Sequence, residues 1–242
     1  MSEAPVLCSR CQRVIPPVEA PALTKDLHIC EIDCIGKSPL LMDRFDAELW
    51  GRRCHPKPEH RSAAKTLVER CQNKIYRDAE GCPILKVEHL MACLRSAGNS
   101  FRAEYARGRA YTDIKLRSFL EIDSDEIRLQ FASEIDPRSV LPNTACEGVD
   151  QFDPASPWKV DVRRGVGEAT GIANVLVQPR FDKWGFTVRI TVDYAAVEGL
   201  TETRVKQLFE RAGNRVGLLS YRPECKGPYG RFTVESIKQI SA

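Results

Sequence analysis

In the stretch from Gly217 to Phe232 (GLLSYRPECKGPYGRF), Tyr221, Arg222, Lys226, Tyr229 and Arg231 lie among three glycines. The chemistry on offer is binding, not bond making. Arginine and lysine neutralise phosphates, glycine lets a backbone approach one closely, and tyrosine rings stack on bases. The competing reading is a long turn ahead of an edge strand, with glycine chosen for positive φ and the cations simply solvated. A second cluster interleaves Arg102, Arg107 and Arg109 with Tyr105 and Tyr111, which suits a single strand by charge and by stacking. A protein contact or a solvated loop would use the same residues. A third, Arg163-Arg164-Gly165-Val166-Gly167, falls between two predicted strands and reads as a basic hairpin reaching over a ligand. Its glycines match neither a dinucleotide fingerprint nor a P-loop. In this reading Arg163, Arg164, Arg222, Lys226 and Arg231 contact phosphates, while Tyr221 and Tyr229 stack.

Metal chemistry has one foothold. Cys8 and Cys11 have the Cys-x-x-Cys spacing of half a structural zinc site, which Cys54, His55 and His60 could complete. Cys30 and Cys34 are the other candidate partners, but in a strand their spacing spreads them along one face. No other cofactor is implied. Catalysis has less to work with: the only histidines are His28, His55, His60 and His89, and neither a glycine-flanked serine nor an HExxH motif occurs. His89 reads as a surface residue, and the acidic run Asp123–Glu126 as a solvated turn. A metal-independent ribonuclease acting through a histidine stays open as an alternative.

These residues need a scaffold, and 242 residues suffice for one large domain with its own core. An apolar content of 43% and a charged content of 29% are ordinary for a soluble protein. No run approaches the roughly 20 apolar residues that span a bilayer, and the N-terminus lacks a signal-peptide pattern. The expectation is a cytoplasmic protein without membrane contact. There most of the ten cysteines stay reduced, and Cys71 and Cys93 act as small hydrophobes on helix faces. Net charge is only +3, but it is unevenly spread: basic from Arg95 to Arg117, acidic from Glu121 to Asp153, basic again at the C-terminus. Such segregation gives separate faces, one of them suited to a polyanion.

The elements follow from periodicity. Residues 1–25 read as a proline-rich tail carrying the Cys-x-x-Cys pair. Leu27–Ile35 is a predicted strand. Ala64, Leu67, Val68, Cys71 and Ile75 recur at helical spacing, as do Val87, Leu90, Met91, Leu94 and Ala97, closed by Gly98 and Asn99. Residues 119–131 read as a hairpin about a DSDE turn, and 137–157 as loop. WKVDVRRGV and ANVLVQPRF are further strands. Phe186, Val188, Ile190, Val192 and Tyr194 alternate with polar residues, which predicts a half-buried strand. A helix capped by Thr201 or Thr203 buries Val205, Leu208, Phe209 and Ala212 and stops at Gly213; Arg231–Ile240 returns as a strand. In order, these pieces predict an α+β fold: a ferredoxin-like (RRM-like) β-α-β-β-α-β core over residues 26–242, with 99–157 as a large insertion.

Three short segments carry a resemblance: SPLLM (Ser38–Met42), the arginine-glycine hairpin, and AGNRVGLLSYRPECKGPYGRFTV (Ala212–Val234). Over residues 27–240 the chain resembles uncharacterised proteins encoded by phages and related mobile elements. In strand order and glycine-rich loop it also resembles the RAMP superfamily, the ferredoxin-like proteins of the RNA-coating backbone of CRISPR effectors. The resemblance implies a non-catalytic protein that coats single-stranded RNA, or DNA, as a homo-oligomer or as a subunit of a larger ribonucleoprotein complex. It also implies that the 99–157 insertion acts as a thumb against a neighbouring subunit. A protein–protein assembly subunit that touches no nucleic acid is the alternative.

Overall fold

Strand β10 (Gly185–Asp193) lies in the middle of the main sheet. Its Phe186, Val188, Ile190 and Val192 are buried, while Thr187, Arg189 and Thr191 point to the other face, as the alternation predicts. The structure is a computed structural model; it describes residues 6–7, 14–15, 27–44, 66–99, 113–145, 150–166, 173–197 and 199–240. Near the N-terminus, β1 (Val6–Leu7) and β2 (Val14–Ile15) pair antiparallel with each other.

On one side β10 pairs antiparallel with β3 (Leu27–Gly36) along its whole length, from Gly185 opposite Ile35 to Asp193 opposite Leu27. Beyond β3 lies β11 (Phe232–Ile240), also antiparallel. The β3–β11 register slips at Glu235, a bulge that changes which residues face inward. Before it Phe232 and Val234 are buried; after it Ile237 packs on the core and Ser236 turns to the outer face. There Asp33 accepts hydrogen bonds from Thr187 (2.7 Å) and Ser236 (2.6 Å), with Lys238 at 3.3 Å, so one carboxylate links three strands.

The other side of β10 differs from the sequence expectation. Strands β6 (Leu120–Ile122) and β7 (Glu126–Gln130) do not pair with each other as a hairpin; both pair with β10. Ile122 stands opposite Ile190, and Leu129 opposite Phe186, so the polar DSDE run is looped out of a single interrupted strand. Apolar Leu120, Ile127 and Leu129 are all buried, which holds both halves to the core. Residues 120–130 thus belong to the main sheet, a correction to reading all of 99–157 as an insertion. The start of β7 pairs outward with β5 (Ile84–Lys86), completing the order β11-β3-β10-β7-β5.

Among the described residues, helices cover the buried face. Along α2 (Val87–Asn99) Leu90, Cys93, Leu94 and Ala97 are buried, and along α4 (Glu202–Arg211) Val205, Leu208 and Phe209 are buried. Thr201, not Thr203, caps α4, its hydroxyl accepting from the Arg204 amide. The helix does not stop at Gly213 but runs on as a π turn over Ala212–Val216. A Cβ at Gly213 would lie 2.1 Å from the Phe232 carbonyl oxygen, so this glycine lets the turn sit on β11. Two shorter helices, α1 (Leu67–Gln72) and α3 (Asp113–Phe119), also lie among the described residues; a Thr66–Glu69 capping box starts α1.

The two strands WKVDVRRGV and ANVLVQPRF form, but outside the main sheet. β8 (Lys159–Val166) and β9 (Ala173–Phe181) pair antiparallel, and β9 also pairs with β4 (Leu40–Leu41) in a separate three-stranded sheet. Both sheets share one apolar core, to which Trp158, Val177, Phe181, Phe186, Phe209 and Phe232 contribute. Cys30, Cys34, Cys71, Cys82 and Cys93 are buried free thiols. Burial pushes Cys34 up and Cys93 up to about 12, which keeps both neutral. His89 is not a simple surface residue: its Nδ1 is buried and its ring packs edge-on against Tyr76, and burial lowers its pKa. No helix among the described residues is long and apolar enough to cross a membrane.

Candidate nucleic-acid interface

The loop from Gly217 to Arg231 closes on itself. The Leu218 amide donates to Gly230 (2.9 Å), Gly227 to Arg222 (2.9 Å), and Tyr229 to Tyr221 (3.2 Å). Hydrogen bonds tie it to the chain around β4: Gly230 donates to Pro39 (2.8 Å), Ser220 to Leu41 (3.2 Å) and the Arg231 amide to Ser38 Oγ (3.0 Å). Its glycines serve this closure. A Cβ at Gly227 would fall 1.8 Å from the Tyr221 carbonyl oxygen, and one at Gly230 (φ +70°) 2.1 Å from that of Leu218. The approach these two glycines permit is therefore between limbs of the loop, a different use from the phosphate approach expected of them.

Closing the limbs sets Tyr221 beside Tyr229, with ring centroids 5.9 Å apart and planes at 50°. Tyr221 is 48% exposed, unusual for a large aromatic. Leu219, Tyr221 and Lys226 all adopt left-handed φ (+59°, +51° and +61°). Non-glycine residues enter that region at a cost of about 1 kcal/mol or more, so the loop holds a conformation the packing must enforce.

The β8–β9 sheet presents its polar face to this pair. Pleating puts Lys159, Asp161 and Arg163 of β8 on the same side as Gln178 and Arg180 of β9, since Lys159 faces Arg180 and Asp161 faces Gln178. The Arg163 guanidinium carbon lies 4.9 Å from the Tyr221 ring centre and 5.4 Å from that of Tyr229; Arg180 lies 5.6 Å from Tyr229. These are cation–π distances. Arg163 forms an ion pair with Asp161 at 2.5 Å, and Arg180 pairs with Asp182 at 2.6 Å. Burial works to raise the Asp182 pKa, yet hydrogen bonds from Lys159 and Arg180 outweigh it and hold the carboxyl low.

Of the residues singled out in the sequence, Arg163, Tyr221 and Tyr229 meet. Arg164, one residue on, is exposed on the opposite face of β8. Arg222 is engaged within the loop: it donates to Glu224 (3.0 and 2.6 Å) and to the Leu219 carbonyl (3.0 Å). Glu224 in turn accepts from Ser96 of α2. The Ser96 hydroxyl and the Arg222 guanidinium hold the Glu224 carboxyl below its usual range. Lys226 and Arg231 are exposed near the tyrosine pair in sequence and have no ion pair among the described residues. Arg102, Arg107 and Arg109 lie outside the described residues, as do Cys8, Cys11, Cys54, His55 and His60. No cluster of metal-ligating side chains occurs among the described residues. Arg180 and Gln178 were not singled out. Only the β8–β9 register places them beside Arg163, and the sequence signal for that register is the pair of alternating strands.

No protein-family model matches the chain, and no curated protein matches it. Among solved structures it is similar to a chain of the cryo-EM structure of the Type III-B Cmr-beta bound to cognate target RNA. Sequence identity is 12% and the TM-score 0.45, with 89% of this chain and 61% of that chain covered. The chain thus spans about three-fifths of the length of that neighbour.

Proposed function

We propose that this chain is a non-catalytic binder of single-stranded nucleic acid. The observation that carries the reading is the Arg163–Tyr221–Tyr229–Arg180 cluster. It offers an exposed ring beside a paired ring, backed by guanidinium groups. Exposed aromatics accept any unpaired base, and flanking cations such as Lys226 and Arg231 meet its phosphates. In a duplex the base faces are already stacked, so single strands are the ligand this geometry favours. The strand order β11-β3-β10-β7, with α2 and α4 on one face, supports a ferredoxin-like reading of the core. The preference for RNA over DNA, and membership of a larger ribonucleoprotein assembly, rest on the RAMP resemblance of the loop segment. Anisotropy of labelled single-stranded RNA, single-stranded DNA and duplex over a salt series tests the proposal. Single strands should bind more tightly than duplex, with affinity falling as salt rises. Equal or absent binding at low salt sinks it.

A second reading, an assembly subunit, has its own observation. Val162 and Val175 on β8–β9 are 53% and 62% exposed, an apolar surface suited to a protein contact. Light scattering of nuclease-treated protein separates the two, since a defined oligomer indifferent to added strands favours assembly alone.

A further inference from the structure

Gln178 of β9, bonded to Arg163 and to Ser220 of the tyrosine loop, has only 3% of its surface exposed. A buried amide needs its hydrogen bonds made, and here they are. Its Nε2 donates to Asp43 Oδ2 (2.9 Å) and to Ser220 Oγ (3.2 Å), and its Oε1 accepts from Arg163 Nη2. This orientation has no alternative, because a carboxylate only accepts and a guanidinium only donates. Three segments distant in sequence meet at this one side chain: the residues after β4, strand β8, and the loop that carries Tyr221. Lys74 closes the far end, with Nζ 3.0 Å from Asp43 Oδ1.

The consequence falls on Arg163. Its Nε forms an ion pair with Asp161 and its Nη2 donates to Gln178, so the guanidinium is held from both ends with its carbon within cation–π distance of both rings. Asp161 also offsets its charge, which leaves it better suited to support a stacked base than to capture a phosphate. A neutral amide is the side chain that fits between the Asp43 anion and the Arg163 cation, because it donates to one and accepts from the other.

We propose that Gln178 is the positioning residue of a socket for one unpaired base, fixing Arg163 against Tyr221 and Tyr229 so that the stacking face is set before the base arrives. The proposal rests on the nucleic-acid reading above and deepens it. The test is a double-mutant cycle over Gln178→Ala and Arg163→Ala, read with single strands carrying 2-aminopurine, whose fluorescence is quenched on stacking. Gln178→Ala should weaken binding about 5- to 20-fold, by loss of a hydrogen bond to a charged group, and reduce the quench at saturation, with the salt slope unchanged. In the Arg163→Ala background the same change should add little, since a residue acting through Arg163 has nothing left to position. Gln178→Glu alone sets a carboxylate against Asp43 and should bind weakly; Gln178→Glu with Asp43→Asn restores a donor and an acceptor and should recover binding and quench. That pair keeps the test decisive if Gln178→Ala does not fold. Full quench in Gln178→Ala, a loss that is the same with and without Arg163, or no recovery in the exchanged pair overturns the proposal. Wild-type protein that neither binds nor quenches overturns both this and the nucleic-acid reading, whereas wild-type binding with additive losses overturns this alone.

Discussion

Tyr221 and Lys226 sit on one loop, and their substitutions report different forces. A base stacked on an exposed aromatic contributes about 1–3 kcal/mol, so Tyr221→Ala should weaken strand binding about 5- to 150-fold and leave the salt slope alone. Lys226→Ala should cost most at low salt and least at high salt, lowering the slope of log affinity against log salt by about 0.7, the value for one phosphate contact on a single strand. Anisotropy titrations of both variants over the same salt range check the pair. Glu224 adds a pH dependence. Its carboxyl is held below the ordinary value of 4.5 by Ser96 and then Arg222. A depressed carboxyl contributes stability that is complete above its unfolded value and lost as pH falls through the folded one. Urea midpoints of wild type and Glu224→Gln should therefore differ by a constant amount near neutral pH and converge as the pH drops below 4.5. At this scale the tyrosines and Arg163 were legible in the sequence, because exposed aromatics and cations are conspicuous by type. Gln178 and Arg180 were not, because nothing in a residue's type says which face of a hairpin it occupies.

Elements explain why those side chains meet. Gly81 and Gly230 both have positive φ (+84° and +70°), yet a Cβ at Gly81 meets nothing within 4 Å whereas one at Gly230 strikes a carbonyl oxygen. Gly81→Ala should cost only the conformational penalty, about 1 kcal/mol. Gly230→Ala should cost about 3 kcal/mol or more and loosen strand binding with it, because the loop can no longer close. Chemical denaturation of the two variants gives the comparison. The strands and helices with strong periods, β3, β10, α2 and α4, were readable because one face of each is apolar and the other polar. The segment 119–131 is ambiguous in sequence for a physical reason: two short apolar runs about a polar turn describe a hairpin and an interrupted strand equally well. Which forms depends on whether β10 offers the longer partner, a tertiary fact.

For the molecule as a whole, the main sheet and the β8–β9 sheet share a core, and the loop between α4 and β11 spans them. Its anchors to Pro39 and Leu41, and the Ser220–Gln178 contact, bring a face of the second sheet to the edge of the first. The sequence order alone places β8 and β9 in the main sheet; β6 and β7 take that place on β10 instead. What remains is an arm carrying Arg163 and Arg180, held against the tyrosine loop. The most direct test of the central claim is ultraviolet cross-linking of the intact protein to a labelled single strand, with the adducts mapped by peptide mass. The account predicts adducts on the peptides containing Tyr221 or Tyr229, lost when both tyrosines are replaced. Adducts confined to the outer face of the main sheet, around Asp33, Thr187 and Arg189, or adducts that persist without the tyrosines, would contradict it.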